Sequence, residues 1–157
     1  MAAEDFDIDE LLREPLVACI ATAGPTVRPV WFLWEEGMLW WSTGPWSALG
    51  SHLQADPQVA VSIDECELAT GTLRQVLMRG RAEIVEYDRE RAYRTLARYL
   101  GPDADRWPED FGVDDGDQHG NRFVRLTPQW IHAADAKIRS CQDIGDPGQD
   151  AWSRVTV

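Results

Sequence analysis

The chain has 157 residues, with 27 acidic side chains against 15 basic ones and a formal net charge of -12. That length builds one core without disulfides or metal, and 44% hydrophobic content excludes a disordered chain. The acidic balance argues against nucleic acid, no run approaches the roughly 18 apolar residues of a membrane helix, and the start lacks a signal-peptide plan, so a cytoplasmic protein without membrane contact is expected.

Asp7 predicts a helix start, with Glu10 three residues on, an Ile8, Leu11, Leu12 stripe and Pro15 as the stop. Leu16 to Thr22 reads as a strand, Ala23-Gly24-Pro25 as a turn, and Val27 to Trp34 as the hairpin partner. Glu35-Glu36-Gly37 turns the chain into a third strand, Met38 to Thr43, which completes an expected antiparallel meander. Ser47 to Ala55 reads as a short helix closed by Asp56-Pro57, and Gln58 to Asp64 as a strand with Val59, Val61 and Ile63 on one face. An irregular loop over 65–72 precedes a long strand, Leu73 to Glu86. There Val76, Met78, Gly80, Ala82 and Ile84 alternate with Gln75, Leu77, Arg79, Arg81 and Glu83.

Asp88 starts the clearest helix, with Tyr93, Leu96, Ala97 and Leu100 as the expected apolar stripe, a Glu90–Arg94 pair and Gly101-Pro102 as the stop. Residues 103–121 form a long Pro-, Gly- and Asp-rich loop, read as a lid or a poorly ordered segment. Arg122 to Thr127 and Trp130 to Ala134 are the closing strands, and 141–157 is a polar tail to a domain spanning 1–140. Short strands with turn-sized links predict a mostly β, α+β fold, a small antiparallel barrel with helices at its ends.

Cys19, Cys66 and Cys141 are widely spaced and read as structural thiols, Cys19 fitting best; they and His52, His119 and His132 have no metal-motif spacing. The sequence contains no nucleophile elbow, Walker loop or dinucleotide fingerprint, so any chemistry is expected to come from a cofactor. Eight tryptophans include Trp31, Trp34, Trp40, Trp41 and Trp46 in one short stretch. Such rings fill a core, pack an interface or wall a pocket for an aromatic ligand.

Four phrases in order carry a resemblance. They are Pro25-x-x-Arg-Pro-Val-Trp-Phe32, Leu39-x-x-Ser-Thr-Gly44 followed by Ser47 and Asp56-Pro57, Arg74-Gln-Val-x-x-x-Gly80-x-Ala-Glu83, and Val124-Arg-Leu-Thr-Pro128. Together they resemble the split-barrel flavoproteins related to pyridoxamine 5'-phosphate oxidase, including flavin- and deazaflavin-dependent reductases, over Leu16 to Ala134. The resemblance implies a split β-barrel of the FMN-binding type, a homodimer with a coenzyme in each interface cleft, and an oxidoreductase activity on a small-molecule substrate. It places Arg28, Pro29, Val30, Trp31, Ser42, Thr43, Ser47, Leu49 and Gln75 around FMN or F420. In that scheme Arg28 and Ser47 reach the phosphate, Gln75 reaches the ring or ribityl chain, and Trp46 and Trp130 border the substrate.

A guanidinium fork and a serine hydroxyl suit a phosphate, and an amide suits the pyrimidine edge of a flavin. The family's Ser-Arg-Lys phrase is replaced by Ser47-Ala48-Leu49, which removes two cations from the phosphate loop. The alternative is accordingly a non-catalytic split barrel that has lost flavin and binds another ligand or a protein. Haem binding is a further alternative, with the three histidines named above as the only histidine candidates for an axial ligand.

Overall fold

The computed structural model describes residues 7–137. Seven strands form one antiparallel sheet: β1 Ala18–Thr22, β2 Thr26–Val30, β3 Leu33–Glu35, β4 Met38–Thr43, β5 Gln58–Glu67, β6 Thr72–Val85 and β7 Arg122–Lys137. Three α-helices accompany it: α1 Ile8–Leu11, α2 Leu49–Ala55 and α3 Arg89–Leu100.

The strand order is β2-β1-β5-β6-β7-β4-β3. The expected single strand from Val27 to Trp34 is therefore two strands, and the meander is not one. β2 pairs with β1 at one edge of the sheet, while β3 pairs with β4 at the other. Only Trp31 and Phe32 join them, a link that spans at most about 10 Å. The sheet must curl until its two edges approach, which makes the split barrel of the α+β fold.

The Tyr99 hydroxyl fixes this crossing. It accepts from the Phe32 N–H at 3.1 Å and donates to the Leu16 carbonyl at 2.6 Å. Burial raises the Tyr99 pKa, so the phenol stays a donor.

The main core fills the barrel. Ile20, Val61, Ile63, Val76, Met78, Trp41, Val124 and Leu126 meet there, and Leu11 and Leu12 of α1 belong to the same core. The alternation read along β6 holds: Val76 and Met78 are fully buried, whereas Arg79, Arg81 and Glu83 are exposed. A second core lies outside the barrel, where Leu33, Trp40 and Phe123 pack with Ala92 of α3 and Val113.

Several expected details shift. The buried side chains of α3 are Ala92 and Thr95; of the predicted stripe Leu96 packs, partly buried, against the second core, whereas Tyr93 is exposed and tilts against Trp107 with centroids 5.3 Å apart. Arg94 pairs with Glu35 across the fold instead of Glu90. The two closing strands are one strand with a bulge, since Arg79 faces Trp130 and Gly80 faces Pro128, leaving Gln129 extra. Gly80 is required at that bulge, because a Cβ there would lie 2.9 Å from the Thr127 carbonyl oxygen.

The 103–121 loop is built rather than loose. It contains a 3-10 turn, Ala104–Arg106, and is tied down by Trp107 Nε1 to the Gly101 carbonyl and by the Tyr87 hydroxyl to the Val113 carbonyl. Cys19 is half-buried, but Cys66 is exposed and so is not a buried structural thiol. Cys141 and the 141–157 tail lie outside the described residues. No helix among those residues is long and apolar enough to cross a membrane, and they hold no cluster of potential metal ligands.

Candidate functional site

β2 is an edge strand, and its Val27, Arg28 and Pro29 side chains are all exposed. Pro29 is tolerated because an edge strand has a neighbour on one side only. Just beyond it, Trp31 is held by aromatic contact, with the Tyr99 ring parallel at 4.8 Å and Phe111 at 5.6 Å. The strand thus offers a charged end at Arg28 and an aromatic end at Trp31.

A cleft of about 620 Å³ opens beside this strand. Its walls are Pro29, Val30 and Trp31, the outer faces of β4 and β7 at Ser42 and Phe123, and α3 at Ala92, Thr95 and Leu96. Val17, Trp46, Tyr87, Asp110, Phe111, Gly112 and Asn121 complete it. A cavity of about 200 Å³ adjoins, sharing Pro29, Val30, Ser42 and Trp46 and adding Arg28, Ser47 and Leu49. The two make one groove whose small end carries a guanidinium and whose large end is walled by rings.

Most lining groups are already committed. Trp46 Nε1 donates to Asn121 Oδ1 at 3.0 Å, a contact that needs glycine at position 44, where a Cβ would sit 2.5 Å from that oxygen. The Thr95 hydroxyl donates to the Arg91 carbonyl at 2.8 Å, and the Tyr87 hydroxyl to Val113 at 2.9 Å. Burial first, and nearby Asp117 second, raise the Tyr87 pKa. Ser47 Oγ accepts from the Leu49 N–H at 3.2 Å. That bond uses one lone pair and leaves the hydroxyl hydrogen to donate elsewhere.

The structure gathers Arg28, Pro29, Val30, Trp31, Ser42, Trp46, Ser47 and Leu49 along this groove. It does not bring Thr43, Gln75 or Trp130 to the lining. Thr43 lies on the opposite face of β4 from Ser42 and is 3% exposed, its hydroxyl buried without a partner and 3.7 Å from where a Cβ on Gly50 would stand. Gln75 hydrogen-bonds Asp64 across β5–β6. Trp130 lies under the Arg79 guanidinium at 4.7 Å and stacks on His132. His52 receives or gives hydrogen bonds at Nδ1 with the Thr22 and Thr26 hydroxyls, at 3.2 and 3.0 Å.

Sequence reasoning missed the far wall. Tyr87, Ala92, Thr95, Asp110, Phe111, Asn121 and Phe123 come from the β6–α3 link, α3, the loop and β7, with no local pattern that marks them. The one available signal was a long loop rich in acidic residues, and long loops in compact domains often carry function.

A family model described as Pyridoxamine 5'-phosphate oxidase matches residues 6–134. Among solved structures, a conserved hypothetical protein from Mycobacterium tuberculosis superposes with a TM-score of 0.65 at 22% identity, covering 86% of this chain and 88% of the other. A FAD-binding protein from Mesorhizobium loti gives 0.62 at 18% identity, over 87% of this chain and 100% of that one. An F420 reductase gives 0.60 at 24% identity, over 79% and 94%. At these identities the structural likeness is one of fold. No curated protein matches the chain.

Proposed function

This chain belongs to the pyridoxamine 5'-phosphate oxidase family, and from that premise we propose that its groove holds FMN or the deazaflavin F420 and serves hydride transfer to or from a small planar unsaturated substrate. The carrying observation is the groove itself, in which Arg28 and Ser47 at the small end open into the ring-walled cleft beside Trp31. The donor chemistry fits such a coenzyme: a guanidinium and a serine hydroxyl for the phosphate, and the apolar Pro29, Val30 and Trp31 for the ring system. When bound, the coenzyme supplies the hydride chemistry. The chain's own residues orient it, cover it and keep water away.

The site also favours a second copy of the chain. β2 leaves its outer side chains exposed, and Gln75 and Trp130 lie outside the groove of their own chain. In a homodimer they would complete the partner's groove. A soluble, cytoplasmic dimer is the setting we infer.

One observation favours the non-catalytic alternative. Leu49, where the family places a cation, is 2% exposed and belongs to the barrel core, so Arg28 is the only cation lining the small cavity among the described residues. FMN titration of the purified protein decides between the readings. Binding is expected, with Arg28→Ala weakening it roughly 10- to 100-fold, the loss of one charge-assisted hydrogen bond. Ala48 is exposed beside Ser47, and Ala48→Arg should tighten FMN. A colourless protein that takes up neither FMN nor F420 would establish the alternative.

A further inference from the structure

The larger cleft has a chemical bias that the coenzyme does not explain. Among the described residues that line it, Asp110 alone carries a charge. Asp110 makes no ion pair or side-chain hydrogen bond among them, whereas Asp114 on the same loop is taken by Arg89. Thr95, Tyr87 and Trp46 have their side-chain polar atoms engaged within the protein, as has Oδ1 of Asn121, which leaves the Asn121 amide nitrogen and the Ser42 hydroxyl as neutral polar groups. A ligand entering this end therefore meets aromatic and aliphatic walls, two neutral polar groups and one acceptor-only carboxylate. Ring faces carry negative quadrupole potential and attract cations, and an ionised carboxylate adds to the same preference.

We propose that this end of the groove selects a planar aromatic cation, such as a protonated aminoaryl or an N-alkylated heteroaromatic ring, over neutral and anionic rings. The inference rests on the cleft being the ligand site proposed above and names the substrate class it takes. Arg28 and Asp110 then sit in different parts of one groove, so an anionic coenzyme tail and a cationic substrate are sorted to separate ends. The phenyl ring of Phe111, 37% exposed and following Asp110 in the chain, stacks on Trp31 and supplies a flat surface in the same cleft.

Three tricyclic probes of one shape test this: N-methylacridinium, acridine at a mildly alkaline pH where it is neutral, and acridine-9-carboxylate. Each is titrated into the full chain and followed by probe fluorescence. The cation should bind roughly tenfold more tightly than the carboxylate, with acridine between them. Asp110→Asn should bring the three within about threefold while leaving acridine's Kd unchanged, and Asp110→Glu should restore the order. Asp105→Asn, an exposed acid of the same loop outside the cleft, controls for the general field of a protein of net charge -12. An anion that binds as well as the cation, no binding of any probe, or equal losses in the two Asn variants would overturn the proposal. FMN titration of the same samples is read separately: cation preference without FMN binding would remove the coenzyme assignment and leave the ligand class standing.

Discussion

Glu35 holds two guanidiniums at the end of β3, Arg94 at 2.8 Å and Arg91 at 3.3 Å, and Arg91 also lies 3.7 Å from the Trp40 ring centroid. The Arg94 hydrogen bond holds the Glu35 carboxyl below its ordinary 4.5, overcoming the opposite pull of partial burial. A carboxylate with a depressed folded pKa stabilises the fold above its unfolded value and loses that contribution as pH falls through the folded value. Glu35→Gln should therefore cost about 1 kcal/mol near neutral pH. Its deficit against the parent should shrink as pH drops below 4.5, as seen in urea midpoints taken across the acid range. A deficit constant with pH would assign the loss to packing instead. Next to it, Glu36 has φ 55° and Gly37 φ 73°, the geometry of a two-residue hairpin turn that wants Asn-Gly. Glu36→Asn is expected to raise stability by about 0.5–1 kcal/mol, because glutamate enters the left-handed region at a cost that asparagine largely escapes. At this scale the sequence was readable where chemistry is local: the Asp7 and Asp88 caps and the Glu36-Gly37 turn stand where their residue types put them.

Elements were legible by period and obscure by partner. The alternation of β6 identified its buried face because burial on one side of a strand imposes a period of two. The segment Val27 to Trp34 has no glycine or turn pair at its middle, so nothing local shows that it leaves one sheet edge at Val30 and rejoins the other at Leu33. That break is a tertiary event, and Tyr99, distant in sequence, secures it. Removing the hydroxyl tests its weight. Tyr99→Phe strands the Phe32 N–H and a bond to the Leu16 carbonyl, a loss of about 1–3 kcal/mol. Denaturant unfolding should show it, together with faster amide exchange at Phe32; unchanged exchange there would mean that the phenol does not hold the crossing. The stripe of α3 misled at Tyr93 for a related reason. Tyr93 has its own partner in Trp107 on the loop, so the helix rotates Ala92 and Thr95 inward. The near wall of the groove was legible because Arg28 to Trp31 and Ser42 to Leu49 are compact phrases. The far wall was not, because residues from the β6–α3 link, α3, the loop and β7 meet only in the folded chain.

For the molecule as a whole, the coenzyme and the second copy of the chain are linked equilibria if both complete one groove. A ligand that binds only the assembled form stabilises that form by mass action. The sheet leaves apolar groups uncovered on one chain: Trp130 is 40% exposed, Ile131 39% and Leu73 37%, all on β6 and β7. Trp130 also carries the Arg79 guanidinium on its face, so it presents a broad, amphipathic surface of the kind enriched at interfaces. Sedimentation should give twice the 17.7 kDa chain mass, and FMN should lower the concentration at which the dimer dissociates. Trp130→Glu places a carboxylate on that surface and should shift the protein to monomer at micromolar concentration with its far-UV spectrum unchanged. FMN affinity should fall in the same variant, although Trp130 touches neither cavity of its own chain. A folded Trp130→Glu monomer that binds FMN as well as the parent would uncouple the two equilibria, and the groove of a single chain would then be the complete site.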